Sequence, residues 1–264
     1  MVSPPLRAFP LERRGLLLLA LPGPADLAST GMICAMIEKI DALNNEGLIP
    51  AYVARPAEFT GRAIIVVPEI FGINAGIRSK CDQWAAKGFL AIAPDIFWRF
   101  APGVELNPDI AAEFQEALSN FGQYDANQGV MDIEAVIRWA RGDGAAKIGL
   151  VGFCLGGRLA YMAAARTDIH ASVGYYGVMI DTMLNEAHGI AAPLMLHIPT
   201  ADHFVGPAAQ AAIHAALDPH PRVTLHDYAG LDHGFAAETG IRRDESGARL
   251  ADDRTEAFFA EHLR

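Results

Sequence analysis

Two hydrophobic patterns alternate along most of this chain. Short apolar runs, bounded by turn residues, fall at 48–54, 63–67, 89–93, 147–151, 171–175, 194–198 and 223–228. They are rich in Val, Ile and Ala, as suits strands buried on both faces of a largely parallel sheet. Between them, apolar positions recur at helical spacing over 77–87, 108–120, 127–141, 157–166 and 208–217. A last amphipathic segment, 248–263, is expected to pack on the sheet as a helix. Strand-helix alternation implies βαβ units, hence an α/β fold with right-handed crossovers and helices on both faces of a twisted sheet. No linker, repeat or low-complexity tract interrupts residues 36–264, which read as one domain. Residues 1–35 are rich in Pro, Leu and Gly without a steady period and read as a loosely ordered N-terminal extension.

Composition narrows the function classes. Of 264 residues, 52% are hydrophobic and 20% charged, ample for a packed core and unlike a disordered chain. The net charge of −10 repels phosphate backbones, so a nucleic-acid partner is not expected. No apolar stretch is long enough to span a bilayer, so no membrane partner is expected either. The three cysteines, Cys34, Cys81 and Cys154, form neither a CxxC pair nor a disulfide framework. An odd, scattered set fits a reducing compartment, and a cytoplasmic location is expected. The minor alternative is export: Leu16–Leu21 after Arg13-Arg14 resembles a stunted leader, broken by Pro22 and Pro24. The histidines show no metal-ligand spacing, so neither metal nor cofactor is expected.

The most informative stretch is Lys147-Ile-Gly-Leu-Val-Gly152-Phe153-Cys154-Leu155-Gly156-Gly157-Arg158. A buried strand runs into Gly-x-Cys-x-Gly and an Ala-rich helix follows. This is a nucleophile elbow with Cys in place of Ser. The turn is sharp and strained, so the residues two before and two after the nucleophile must lack side chains; Gly152 and Gly156 do. The turn sets the thiol at a helix N-terminus, where the dipole favours thiolate. There the backbone N–H of Leu155 faces a developing oxyanion.

In such a fold the acid and then the base follow the nucleophile, each in a loop after a later strand. Asp202 follows the strand at 194–198, and His233 follows the strand at 223–228. The carboxylate would hold the imidazole tautomer while the imidazole shuttles the proton. His203 and Asp232 are competitors by position, but chain neighbours seldom face each other productively. Glu69 ends the apolar run at 63–67, which sets it at the sheet's C-terminal edge, where ligands bind.

Taken together, these segments resemble the dienelactone hydrolase family (carboxymethylenebutenolidases) of the α/β-hydrolase superfamily. The resemblance spans about residues 36–264. It rests on Pro68-Glu69-Ile70-Phe71-Gly72-Ile73-Asn74, Ala93-Pro94-Asp95-Ile96-Phe97, Gly152-Phe153-Cys154-Leu155-Gly156-Gly157, Tyr175-Tyr176-Gly177, Asp202-His203-Phe204 and His233-Gly234-Phe235. It implies a Cys154, His233, Asp202 triad acting through an acyl-enzyme, without a cofactor. It implies an oxyanion hole from the N–H groups of Ile70 and Leu155. Glu69 matches a glutamate that interacts with the resting thiol and swings away when substrate enters. The family's type enzyme holds an anionic lactone with two arginines. Arg99 matches the first, but Ala237 stands where the second is expected, four residues after His233, with Arg242 and Arg243 nearby. Phe97, Trp98, Phe100 and Tyr176 are expected to line an aromatic substrate pocket.

The expected function is therefore hydrolysis of a lactone or small ester by a monomer or small homo-oligomer. A broad-range carboxylesterase or thioesterase is the rival within enzymes. A non-catalytic hydrolase-like protein that binds a small ligand is the rival outside them.

Overall fold

All but the last of the apolar runs expected to be strands form the interior of a single sheet, and the run at 223–228 is its far edge, mostly half-buried or exposed. The computed structural model describes residues 33–264. The expected extension over 1–35 and the leader-like run at 16–21 lie almost wholly outside the described residues. The strands are β1 (Cys34–Asp41), β2 (Leu48–Arg55), β3 (Arg62–Val67), β4 (Phe89–Pro94), β5 (Lys147–Phe153), β6 (Ala171–Tyr175), β7 (Leu194–Pro199) and β8 (Val223–Tyr228). Their order across the sheet is β1-β2-β4-β3-β5-β6-β7-β8. β1 and β2 pair antiparallel, as do β2 and β4, and all later pairings are parallel. β4, β6 and β7 are buried along their whole length, as central parallel strands covered on both faces must be.

The helices are α1 (Ala75–Ala86), α2 (Ala111–Gln123), α3 (Ala126–Gly142), α4 (Leu155–Arg166), α5 (Pro207–Leu217) and α6 (Glu245–His262). Asn74 caps α1 by accepting from Ile77 N–H, and Asp125 caps α3 in the same way from Asn127 and Gln128. α6 starts on Asp244, whose carboxylate accepts from Gly247 N–H. Three elements were not expected from the sequence, the shortest being a 3-10 turn at Leu43–Asn45. β1 is an edge strand with mostly exposed or half-buried side chains, so it carries no apolar run. Residues Ile180–Gly189 form 3-10 turns, kinked at Met183.

One edge of this sheet gathers the candidate site residues. β3 and β5 to β8 run parallel, so their C-terminal ends lie side by side. Glu69, Cys154, Tyr176, Asp202 and His233 all lie within a few residues of those ends. Among the described residues no helix is long and apolar enough to cross a membrane.

Candidate active site

The turn after β5 is as tight as Gly-x-Cys-x-Gly requires. A Cβ on Gly152 would meet Gly156 O at 1.9 Å, and one on Gly156 would meet Val67 O at 2.3 Å. Cys154 itself takes φ 54°, ψ −110°, a strained conformation for a residue with a side chain. Its N–H donates to Tyr175 O (3.0 Å), and its carbonyl accepts from Arg158 N–H (3.1 Å). The strain is thus held between β6 and the first turn of α4. Leu155 is the first residue of α4, and its N–H lacks an intrahelical partner, as helix N-termini do. Ile70 follows Glu69 in the turn after β3. Among the described residues, neither N–H donates a hydrogen bond.

Asp202 and His233 meet below the surface. His233 Nδ1 donates to Asp202 Oδ2 at 2.9 Å, and both side chains are almost wholly buried. The other carboxylate oxygen of Asp202 accepts from Phe204 N–H (2.8 Å) and Val205 N–H (3.0 Å), which fixes its direction. The His233 ring is packed between Tyr176 at 4.9 Å and Phe204 at 4.8 Å. Its Nε2 is buried without a hydrogen-bond partner. Burial alone would depress the imidazole, but charge on the Cys154 sulfur and the Asp202 carboxylate outweigh it and raise its pKa to about 10. The positional competitors pair with each other instead: His203 Nδ1 lies 2.8 Å from Asp232 Oδ1. Asp232 also accepts from the backbone N–H groups of His203 and His233, so it ties the two loops together.

Glu69 is buried at the end of the β3 turn. Its Oε2 lies 3.4 Å from Arg242 Nη2, and its Oε1 has no partner. Tyr176 is buried with φ 40° and an unpartnered hydroxyl. Burial, then the neighbouring Glu69 charge, pushes that phenol well up, so it stays protonated. Buried polar atoms are seldom orphaned, and here Glu69 Oε1, Tyr176 OH and His233 Nε2 cluster at one sheet edge.

Cys154 and His233 open onto one pocket with Ile70, Arg242 and a set of apolar side chains. None of the five residues expected in the substrate pocket, Arg99, Phe97, Trp98, Phe100 and Tyr176, is among those that line it, and Tyr176 packs on the His233 ring instead. Asp132, buried on α3, needs compensation, and both Arg99 and Trp98 supply it. Arg99 Nη1 donates to Asp132, its Nη2 donates to Glu46 (2.6 Å), and Trp98 Nε1 donates to Asp132 (3.0 Å). Phe97 is fully buried against Phe100 and Tyr124. Phe100, also expected there, is exposed and packs on Phe97. Residues the sequence reading missed line the cavity instead, among them Phe71, Phe114 and Phe204. The helical apolar period over 108–120 is visible in the sequence, but only the folded topology aims it at Cys154.

The dienelactone hydrolase family model matches residues 49–263. An Azospirillum brasilense protein provisionally named a carboxymethylenebutenolidase is 39% identical over 230 residues, 83% of this chain and 96% of its own. A carboxymethylenebutenolidase of Pseudomonas putida is 34% identical over 212 residues, covering 80% of this chain and 90% of its own. Among solved structures, one from Klebsiella pneumoniae, provisionally named a dienelactone hydrolase, aligns with a TM-score of 0.77 at 29% identity. That alignment covers 87% of this chain and 99% of the other.

Proposed function

This chain belongs to the dienelactone hydrolase family, and from that premise we propose that it hydrolyses a lactone or small carboxylic ester through an acyl-enzyme on Cys154. The observation that carries the reading is the 2.9 Å contact of Asp202 with His233 beside a strained Cys154 in one cavity. The sulfur attacks the carbonyl carbon, and the developing oxyanion takes the N–H groups of Ile70 and Leu155. The C–O bond breaks and a thioester forms. His233 gives its proton to the leaving oxygen, which in a lactone stays tethered to the acyl group. Once the sulfur is acylated, its negative charge is gone and one support for the raised imidazole pKa goes with it. His233 then takes a proton from water, which attacks the thioester and returns Cys154. Asp202 keeps the imidazole tautomer throughout.

Glu69 and Tyr176 lie at the same sheet edge as Cys154. Paired with Arg242, Glu69 is the counter-charge of the resting site; a substrate carboxylate competing for that guanidinium would release it. Arg242 is thus the anchor for an anionic substrate, in place of Arg99 and the missing arginine at Ala237. The protein would act in the cytoplasm as a monomer or small homo-oligomer. An active-site titration tests the function. An aryl ester should give a burst of product stoichiometric with Cys154, and Cys154→Ala should abolish it. Unchanged turnover in that variant would remove Cys154 as the nucleophile, and no turnover of any ester by the wild-type protein would return the chain to a non-catalytic ligand-binding reading.

A further inference from the structure

α2 buries only Ala117 and Asn120, although it has a clear apolar face. Phe114, Leu118 and Phe121 stand four and three residues apart, so they project from one side of the helix. That side carries the half-buried residues, while Gln115, Glu116, Ser119 and Gly122 are exposed. In most amphipathic helices such a stripe is consumed by the core. Here all three side chains pack against the core only in part and also line the cavity that holds Cys154 and His233. Phe71 closes the inner end, its ring 5.8 Å from Phe114. Val178 and the exposed Phe204 complete the wall. The polar groups in this cavity are confined to Cys154, His233 and Arg242.

Apolar side chains left half-covered beside a reacting group gain free energy when a ligand covers them, roughly in proportion to area. A small polar lactone would leave most of this stripe in water. We propose that the substrate carries an apolar substituent, alkyl or aryl, seated against Phe114, Leu118 and Phe121, and that this face of α2 sets its permitted size. This deepens the ester-hydrolase reading and rests on it. The substrate class is a lactone or ester with two unlike ends: a carbonyl at Cys154 and a hydrophobic body under α2.

Two series of neutral esters test this with charge held constant. One is p-nitrophenyl esters with acyl chains from acetate to hexanoate; the other is acetates of alcohols of rising length. kcat/KM should rise by about fourfold per methylene in at least one series until the cavity is full. Leu118→Trp should reduce the butyrate-to-acetate ratio, or its alcohol counterpart, by about tenfold. Phe121→Ala should move the optimum to longer chains, and it serves alone if the tryptophan variant does not fold. Flat or falling kcat/KM in both series would overturn the proposal, as would variants that change all substrates alike. Failure of the parent reading looks different: Cys154→Ala would keep turning over every ester in both series.

Discussion

Arg242 Nη2 reaches Glu69 Oε2 at 3.4 Å across the turn that leads into α6. Its guanidinium lies over the Phe71 ring, 5.4 Å from the centroid, and so close to Gly234 that a Cβ there would stand 2.8 Å from its Cζ. Glycine at 234, with φ 81°, therefore admits both the turn and the arginine. Arg243 is held elsewhere, by Glu245 and the Ala237 carbonyl. One guanidinium thus faces the cavity although Ala237 occupies the position where the family pattern has its second arginine.

Arg242→Gln should therefore discriminate by substrate charge. Losing a charged hydrogen-bond partner costs about 1.5–3 kcal/mol, or roughly 10- to 150-fold. kcat/KM for an anionic lactone should fall by that factor, and for its methyl ester by much less. Equal losses for both substrates would remove Arg242 from carboxylate recognition.

Alkylation distinguishes the cysteines. Cys81 is fully buried, and burial pushes its thiol well up, so it should resist iodoacetamide. Cys34 is half-buried at the start of the edge strand, far in the sheet order from β5. Activity should vanish in step with modification of Cys154, and Cys154→Ala should lower kcat by roughly 10³-fold or more. Loss of activity on labelling Cys34 or Cys81 alone would refute the assignment of the nucleophile.

Much of this site is legible in the chain because strained turns have few sequence solutions. Gly152 and Gly156 flank Cys154 because backbone oxygens occupy the space a Cβ would need. Asp202 and His233 are legible from order and strand position, since parallel strands deliver their C-terminal loops to one edge. The substrate wall is not legible in that way. Arg99 has the sequence neighbours of a substrate-binding arginine, yet the buried carboxylate of Asp132, distant in sequence, claims it. Phe97 looks like a pocket aromatic, but a turn closed by Asp95 Oδ1 and Phe97 N–H (3.0 Å) leads its ring into the core. Only tertiary contacts decide which aromatics reach a cavity. β1 escapes for a simpler reason: an exposed edge strand shows no continuous apolar run.

Glu69→Gln keeps the shape of the side chain and removes its charge. A carboxylate near the sulfur opposes a second negative charge there, by about 1 kcal/mol for a pair about 4 Å apart at the dielectric of bulk water. The variant should react with iodoacetamide faster, by up to about tenfold, and should lose its Arg242 ion pair. Its kcat should fall if the moving carboxylate helps to activate the thiol. Alkylation and turnover at wild-type rates would reduce Glu69 to a structural residue of the β3 turn and leave the triad untouched.

The acid side of the stability profile should be governed in part by His197, which the chemistry does not use. It is buried on β7, with Nδ1 2.7 Å from Tyr228 OH and Nε2 3.0 Å from Thr255 Oγ1. The Tyr175 ring packs on it at 4.2 Å, and the His226 ring stacks at 5.9 Å. Burial, then the charges of His226 and Arg254, push its pKa well below 6.5. The folded protein therefore keeps the ring neutral while the unfolded chain protonates it below about pH 6.5. The unfolded state binds the extra proton, so stability must fall as pH drops through that value, by up to about 1.4 kcal/mol per pH unit. His233 acts in the opposite sense. With its folded pKa raised to about 10, its contribution is complete below pH 6.5 and is lost between there and 10. Urea unfolding at pH 5.0, 5.5, 6.0 and 6.5 lies above most carboxylate titrations, and because burial also lowers His170 and His226, the His197 share is read as the difference between wild type and variant. His197→Phe keeps the ring but leaves two hydroxyls short of a partner, so it should be less stable at pH 7. Its stability should nonetheless fall less steeply over the acid window, by about 1.4 kcal/mol per unit. A slope equal to wild type would mean that His197 titrates normally in the folded protein, or that the network around it opens before the ring is protonated.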